Sequence, residues 1–362
     1  MFSSFFLSLL FATDTNNFTN QHQTFLTMHQ NTTTLPAVEC NETERKLGLK
    51  PLSHASKQTL KTFLPQDQNN GQSQLMNHHL QMMQAKQLAR FPSQKTVPSN
   101  VAVSGFLTCA VLNQGVIGNC TAYSLGYIIN ILKKLKISKR YQYTNTCLTE
   151  YTLYGGSQDP QGYLDSDPGA SLLGSLVSCY QNNVTPETVV LPQSLGSLSG
   201  NYTGCTYNAT GSNFSEVLPP FSQQIALKLQ KIGNTPNPYL NAMQNLKYKD
   251  LLTPYTNNQF IVPAKNQTLF GNALISELQS GRMLYVGVLV YSSFFNAPNG
   301  VISMPKTSEK LEGGHALALG AYNNDLFQFI NSWGASWGKQ GFGFLSIPYL
   351  MNYSVEIYSV SM

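Results

Sequence analysis

The sequence predicts an α+β domain in which helices come first and strands later, over residues 96–362, behind an N-terminal region of different character. Three observations carry this. A long apolar run of helical length follows Cys120, short β-rich runs separated by turn signals begin at Met283, and the one histidine after residue 79, His315, stands at the head of one of those strand-like runs.

Residues 1–12 (Met1-Phe-Ser-Ser-Phe-Phe-Leu-Ser-Leu-Leu-Phe-Ala12) have the length of a signal-peptide apolar core without its basic lead, and are read as an export signal. Residues 13–95 hold His22, His29, His54, His78 and His79 with many Gln and Thr; Gln72 to Arg90 has one apolar face and predicts a helix that Phe91-Pro92 stops. Gly115 and Gly118 make a tight approach to Cys120, and Tyr123 to Leu132 is apolar on most faces, so a buried helix is predicted with Cys120 at its N-terminal end. Lys133, Lys134, Lys136, Lys139 and Arg140 read as the solvated end of that helix, where cations suit the dipole, and not as a nucleic-acid contact.

Ala170 to Cys179, opened by Asp167-Pro168-Gly169, Phe221 to Ile232 and Phe270 to Leu278 are further helical candidates, while Pro186 to Asn213 reads as a surface excursion. Leu284–Tyr291, Ala316–Tyr322, Leu326–Ile330, Gly341–Pro348 and Ser354–Ser359 read as strands, with Asn323-Asn324-Asp325 a hairpin turn. A cleft between the helical and sheet halves would take Cys120 from one side and His315 from the other.

Apolar residues at 42% suffice for a sizeable core, and no run approaches a membrane span. The net charge of +5 is diffuse, so no nucleic-acid partner is expected. Six cysteines, none in C-x-x-C spacing, argue against a structural zinc; no metal or cofactor is expected. With Cys120 set aside as a free thiol, Cys109, Cys147, Cys179 and Cys205 allow two disulfides in three connectivities, a parity that suits an oxidising, extracytoplasmic compartment.

A nucleophilic thiol needs a lowered pKa, which a helix N-terminus and a neighbouring imidazolium supply. Asn331, sixteen residues after His315 and across one hairpin, can orient the ring without adding negative charge. Gln114, six residues before Cys120, offers a side-chain amide for a developing oxyanion, with the Cys120 N–H as second donor. Trp333 can shield the His–Asn pair from water, and Trp337 reads as core filler.

Asn113-Gln114-Gly115-Val116-Ile117-Gly118-Asn119-Cys120-Thr121-Ala122-Tyr123-Ser124 resembles the active-site segment of papain-like (C1) cysteine peptidases. Gly314-His315-Ala316-Leu317 resembles their histidine strand, and Asn331-Ser332-Trp333-Gly334-Ala335-Ser336-Trp337-Gly338-Lys339-Gln340-Gly341-Phe342-Gly343 their asparagine motif. The resemblance covers residues 96–350, most closely at its two ends.

It implies a two-lobed fold, helical on the left and barrel-like on the right. Cys120 would be nucleophile, His315 base and then acid, Asn331 orienter and Gln114 oxyanion donor. Residues 13–95 would be an inhibitory pro-segment lying between Cys120 and His315. The partners would be peptide substrates and that segment, with the protein a monomer. Cys147–Cys179 resembles a family bridge, leaving Cys109 with Cys205, and Asp159-Pro160-Gln161-Gly162-Tyr163 resembles the glycine-rich cleft rim. Ile117 replaces the usual cysteine three before the nucleophile, and Thr121 the usual Trp after it. The Cys120–His315 interval exceeds the family's by about fifty residues, placing an insertion within 190–265. The other readings of the same residues are an inactive peptide-binding domain and a thiol acyltransferase.

Overall fold

The computed structural model describes residues 45–64, 98–115, 117–156, 163–164, 166–184, 231–232, 235–236, 239, 242–252 and 267–362. Helix α1 (His54–Lys61) is capped by Ser53, whose Oγ accepts the Ser56 N–H at 3.1 Å. Helix α2 (Cys120–Lys133) is buried along nearly its whole length, as its all-round apolar sequence requires, and ends at Lys134 in the left-handed conformation (φ 60°). Lys139 and Arg140 do not belong to its end: they open a new helix, α3 (Lys139–Leu153), because Ser138 caps it and interrupts the basic cluster. Helix α4 (Leu172–Asn182) is capped by Ser171 and not by the Asp167-Pro168-Gly169 run before it.

Among the described residues the strands are β1 (Asn100–Ala102), β2 (Lys231–Ile232), β3 (Thr235–Pro236), β4 (Lys247–Asp250), β5 (Met283–Tyr291), β6 (Leu311–Asn323), β7 (Leu326–Ile330), β8 (Phe342–Ser346) and β9 (Ser354–Ser361), with helices α5 (Gln267–Gln279) and α6 (Ile347–Tyr353). The main sheet runs β4-β9-β5-β6-β7-β8, with β1 added to β6, and its pairings are all antiparallel. Helices therefore precede most of the sheet, in the two-lobed α+β order.

Central strand β5 packs against α2 on one side and α5 on the other, so Met283–Val288 are all buried; that double coverage is why its sequence is a continuous apolar run and does not alternate. The β6–β7 turn places Asn324 (φ 47°) and Asp325 (φ 64°) in the left-handed region, the geometry of a tight two-residue hairpin.

Lys231–Ile232, expected at the end of a helix, instead forms strand β2, paired antiparallel with β3, while Phe221–Gln230 lies outside the described residues. The run after Gly341 stops as a strand at Ser346, where the Ser346 cap and Pro348 start α6 instead. The predicted Gln72–Arg90 helix, residues 1–12, most of 190–265 and the Asp159–Gly162 stretch lie outside the described residues. Among the described residues no helix is long and apolar enough to cross a membrane.

One cysteine pairing is corrected. Cys147 and Cys179 are free, buried thiols: Cys179 Sγ donates to Gln142 Oε1 at 2.9 Å, and Cys147 Sγ faces the Gly169 carbonyl at 3.7 Å. Each sulfur is directed to its own polar partner, so the two do not bridge. Cys109 is likewise a thiol, close to Asn130 Nδ2 at 3.7 Å, and Cys205 lies outside the described residues. The cysteine parity that favoured an oxidising compartment loses one of its two pairs.

Candidate active site

Cys120 is the first residue of α2 and is fully buried. One turn on, on the same face, Ser124 Oγ donates to the Ala316 carbonyl at 2.8 Å, which draws the start of the helix against β6 beside His315. Tyr285 Oη donates to the Thr121 carbonyl at 2.9 Å and Tyr127 Oη to the Asn331 carbonyl at 3.4 Å, tying α2 to β5 and to the end of β7. Backbone groups of Ala316, Gly48 and Thr121 near the Cys120 sulfur favour its ionised form, but less than burial opposes it.

His315 lies on β6, opposite Val288 of β5, and Asn331 follows β7, the next strand of the sheet. His315 Nε2 is 2.8 Å from Asn331 Oδ1. The same Oδ1 takes the Ser332 backbone N–H at 2.8 Å. A backbone N–H can only donate, so this atom is the amide oxygen and the imidazole proton sits on Nε2. In the neutral ring Nδ1 is then the unprotonated nitrogen, and it has no hydrogen-bond partner among the described residues. Trp333 stacks on the imidazole with centroids 4.6 Å apart at 25°, and is itself sandwiched by Phe295 at 5.4 Å.

Gln114 is fully buried. Its N–H donates to the Ser332 carbonyl at 2.7 Å and its Oε1 takes the Ser332 hydroxyl, so the residue after Asn331 orients the amide. Its Nε2 donates to the Ile117 carbonyl at 2.8 Å and to the Lys46 carbonyl at 3.1 Å. Gln114, Asn331 and His315 are thus linked through Ser332 and Asn331 Oδ1, and the helix that Cys120 opens is tied to the strand of His315 through Ser124 and Ala316.

Residues 45–50 run across this site. The Lys46 carbonyl accepts from Gln114 and from Trp333 Nε1 (3.3 Å), the Leu49 N–H donates to the Gly314 carbonyl (3.1 Å), and Gly48 lies against Gly118, two residues before Cys120. On the other side the Ala170 N–H donates to the Gly48 carbonyl (2.9 Å) and the Lys50 N–H to the Ala170 carbonyl (3.0 Å), a parallel bridge centred on Leu49 and Ala170. Gly169–Ala170 is thus the stretch that pairs with the extended backbone of residues 48–50, while Asp159–Gly162 lies outside the described residues.

Under this cover burial favours the neutral form of both Cys120 and His315. Burial pushes the Cys120 thiol up to about 12, against the pull of the nearby backbone groups, and burial pulls His315 down to about 4 although the Asn331 bond opposes this. The thiolate–imidazolium pair expected of a working site is not the state favoured here.

Asp167 and Gly48 were not singled out for chemistry from the sequence. Asp167 Oδ2 takes the Gly118 N–H at 2.8 Å, two residues before Cys120. The signal was present in the Asp-Pro-Gly run, but it pointed equally to a helix start.

No protein-family model matches the chain. An uncharacterized peptidase C1-like protein of Acanthamoeba polyphaga mimivirus is 36% identical over 77 residues, which are 20% of this chain; the match spans about a quarter (24%) of that relative's length. Among solved structures, xylellain, a cysteine protease from Xylella fastidiosa, overlaps 76% of this chain and 91% of its own at 21% identity and a TM-score of 0.48. Digestive procathepsin L 3 of Tenebrio molitor larval midgut overlaps 95% of this chain and 99% of its own at 12% identity and a TM-score of 0.42. The chain is similar, over a short stretch or at low identity, to proteins described as a C1-like peptidase and as cysteine proteases.

Proposed function

We propose that this protein is a cysteine peptidase of the papain-like kind, made as a zymogen. The observation that carries the reading is the His315–Asn331 bond, with Asn331 Oδ1 fixed by the Ser332 N–H, beside a cysteine that opens a buried helix. This arrangement leaves Nδ1 of His315 as the base for the thiol. Deprotonated Cys120 attacks the scissile carbonyl, and the tetrahedral oxyanion is received by the Cys120 N–H and Gln114 Nε2. Protonated His315 gives its proton to the leaving amine, and water, deprotonated by the same ring, releases the acyl group from sulfur.

In this reading residues 45–64 belong to the inhibitory segment. The Lys46 carbonyl occupies the Gln114 donor that an oxyanion would use, and Gly48 lies against Gly118, two residues before Cys120. Helix α1 anchors the far end through Lys57–Glu356 (3.1 Å) and Lys61–Asp250 (2.9 Å). Removing the segment readmits water, lowers the desolvation that favours the neutral form of both groups, and lets the ion pair form.

The test is labelling with an epoxide thiol inhibitor alongside a peptide-hydrolysis assay. Processed protein is expected to carry the label on Cys120 and to start near residues 90–100, and Cys120→Ala is expected to lose both label and hydrolysis. Hydrolysis that persists in Cys120→Ala rejects the mechanism; full activity in the uncleaved chain rejects the zymogen.

A further inference from the structure

The loop 115–119 delivers Cys120 to the site, and its near end is held by the Gln114 N–H on Ser332. Its far end is held by a carboxylate. Asp167 Oδ2 accepts the Gly118 N–H at 2.8 Å, and Asp167 Oδ1 accepts the Tyr143 hydroxyl at 2.6 Å. The Tyr143 oxygen in turn accepts the Gly169 N–H at 3.0 Å. Gly169–Ala170 is the rim whose backbone binds the extended chain at Gly48 and Lys50. A continuous relay therefore runs from the nucleophile's loop through Asp167 and Tyr143 to the binding rim.

We propose that Asp167 is a positioning residue for the reaction, fixing the loop that presents Cys120 at a set distance from the rim that holds the substrate backbone. The proposal rests on the peptidase reading above.

The chemistry explains why the residue is an aspartate. Two donors, one amide N–H and one hydroxyl, converge on its side chain, and only a carboxylate offers an acceptor oxygen to each; an asparagine has one. The backbone is also held in an uncommon state, with Asp167 at φ 49°. The packing is close: a Cβ on Gly118 would lie 3.3 Å from both Asp167 oxygens and from Gly48 Cα. The arrangement has a cost, because the negative charge of Asp167 opposes ionisation of Cys120. Lys46, 3.9 Å from Asp167 Oδ2, offsets that charge only while residues 45–50 are in place. Ile117 leaves no sulfur in this loop to make a covalent tie, so the hydrogen bonds are what hold it.

The test compares full-length wild type, Asp167→Ala, Asp167→Asn and Tyr143→Phe, activated identically, with active thiols counted by an epoxide inhibitor. Three quantities are read: kcat per counted thiol, KM, and the pH midpoint of Cys120 alkylation by iodoacetamide, mapped by peptide mass. Asp167→Ala is expected to lower kcat per thiol about tenfold or more and to raise KM, since loop and rim are no longer in register. Tyr143→Phe should do the same more weakly. Asp167→Asn should keep kcat within about threefold, because it can still accept from Gly118, and move the alkylation midpoint to lower pH.

A kcat per thiol in Asp167→Ala within about twofold of wild type, or an unmoved midpoint in Asp167→Asn, overturns the proposal. If Asp167→Ala does not fold, wild-type kcat in Tyr143→Phe together with an unmoved midpoint in Asp167→Asn overturns it. Should wild type hydrolyse no peptide although its thiol is labelled, the peptidase reading fails while the alkylation midpoints still decide the role of Asp167.

Discussion

Gly48 lies directly over Gly118: a Cβ on Gly48 would meet the Gly118 carbonyl oxygen at 1.8 Å and its carbon at 2.2 Å. The covering strand can pass the nucleophile's loop only where neither chain has a side chain. Gly48→Leu is therefore expected to unseat residues 45–50 while leaving Gln114, Cys120, His315 and Asn331 unaltered in sequence. In the uncleaved chain, epoxide labelling of Cys120 should speed up about tenfold or more, since a clash at such a distance cannot be relieved by a rotamer change. An unchanged labelling rate would show that the strand does not limit access.

Burial of two groups gives opposing pH dependences of stability. Glu356 is fully buried and is raised to about 7 by that burial, which outweighs the nearby Lys57; Asp250 and Glu150 push it the same way as burial. A raised carboxylate makes the native state hold a proton that the unfolded chain has released, so this stability is present below the ordinary glutamate range and is lost as pH rises through about 7. His315, lowered to about 4, acts in reverse: its stability is present above the ordinary histidine range and is lost as pH falls toward 4. Each amounts to about 3 kcal/mol, so they largely cancel in the wild type between pH 4.5 and 7. Thermal melts should show Glu356→Gln gaining stability with rising pH over that window and His315→Gln losing it. Parallel slopes in the two variants would refute the assignment.

Trp333 is stacked on His315 and meets Trp337 edge-on at 5.5 Å. Trp333→Ala is expected to cost about 3–5 kcal/mol in urea unfolding and to lower kcat, because water then competes for the His315–Asn331 bond. Trp333→Phe keeps an apolar face over the ring and should recover most of kcat. Equal kcat in all three proteins would mean that the stack serves packing alone.

The thiols of Cys147 and Cys179 predict a simple count. In denaturant without prior reduction, both should alkylate, and peptide mapping should find each carrying one adduct. A disulfide-linked peptide containing both residues would contradict the separate partners seen for the two sulfurs.

The helix opened by Cys120, the β6–β7 hairpin and the strand after Met283 were legible in the chain because each rests on local pattern: an apolar run, a turn with left-handed Asn324 and Asp325, and a β-rich stretch between breakers. The pairing of His315 with Asn331 was foreseeable for the same reason, since one hairpin joins them. Other features depended on groups far apart in sequence. Whether Lys139 continues α2 or begins α3 turns on the Ser138 cap, and both readings use the same lysines. The thiol partners of Cys147 and Cys179, the rim at Gly169–Ala170 and the acceptance of Gly118 by Asp167 are set by how α3 and α4 pack together, to within a fraction of a hydrogen-bond length. By itself the sequence determined which segments are helix, strand and turn and where Cys120, His315, Asn331 and Gln114 stand along them, since composition and periodicity are local properties. Only the tertiary structure decided which protonation state burial favours at Cys120 and His315, and what lies across them, through close backbone approach at Gly48 and Gly118.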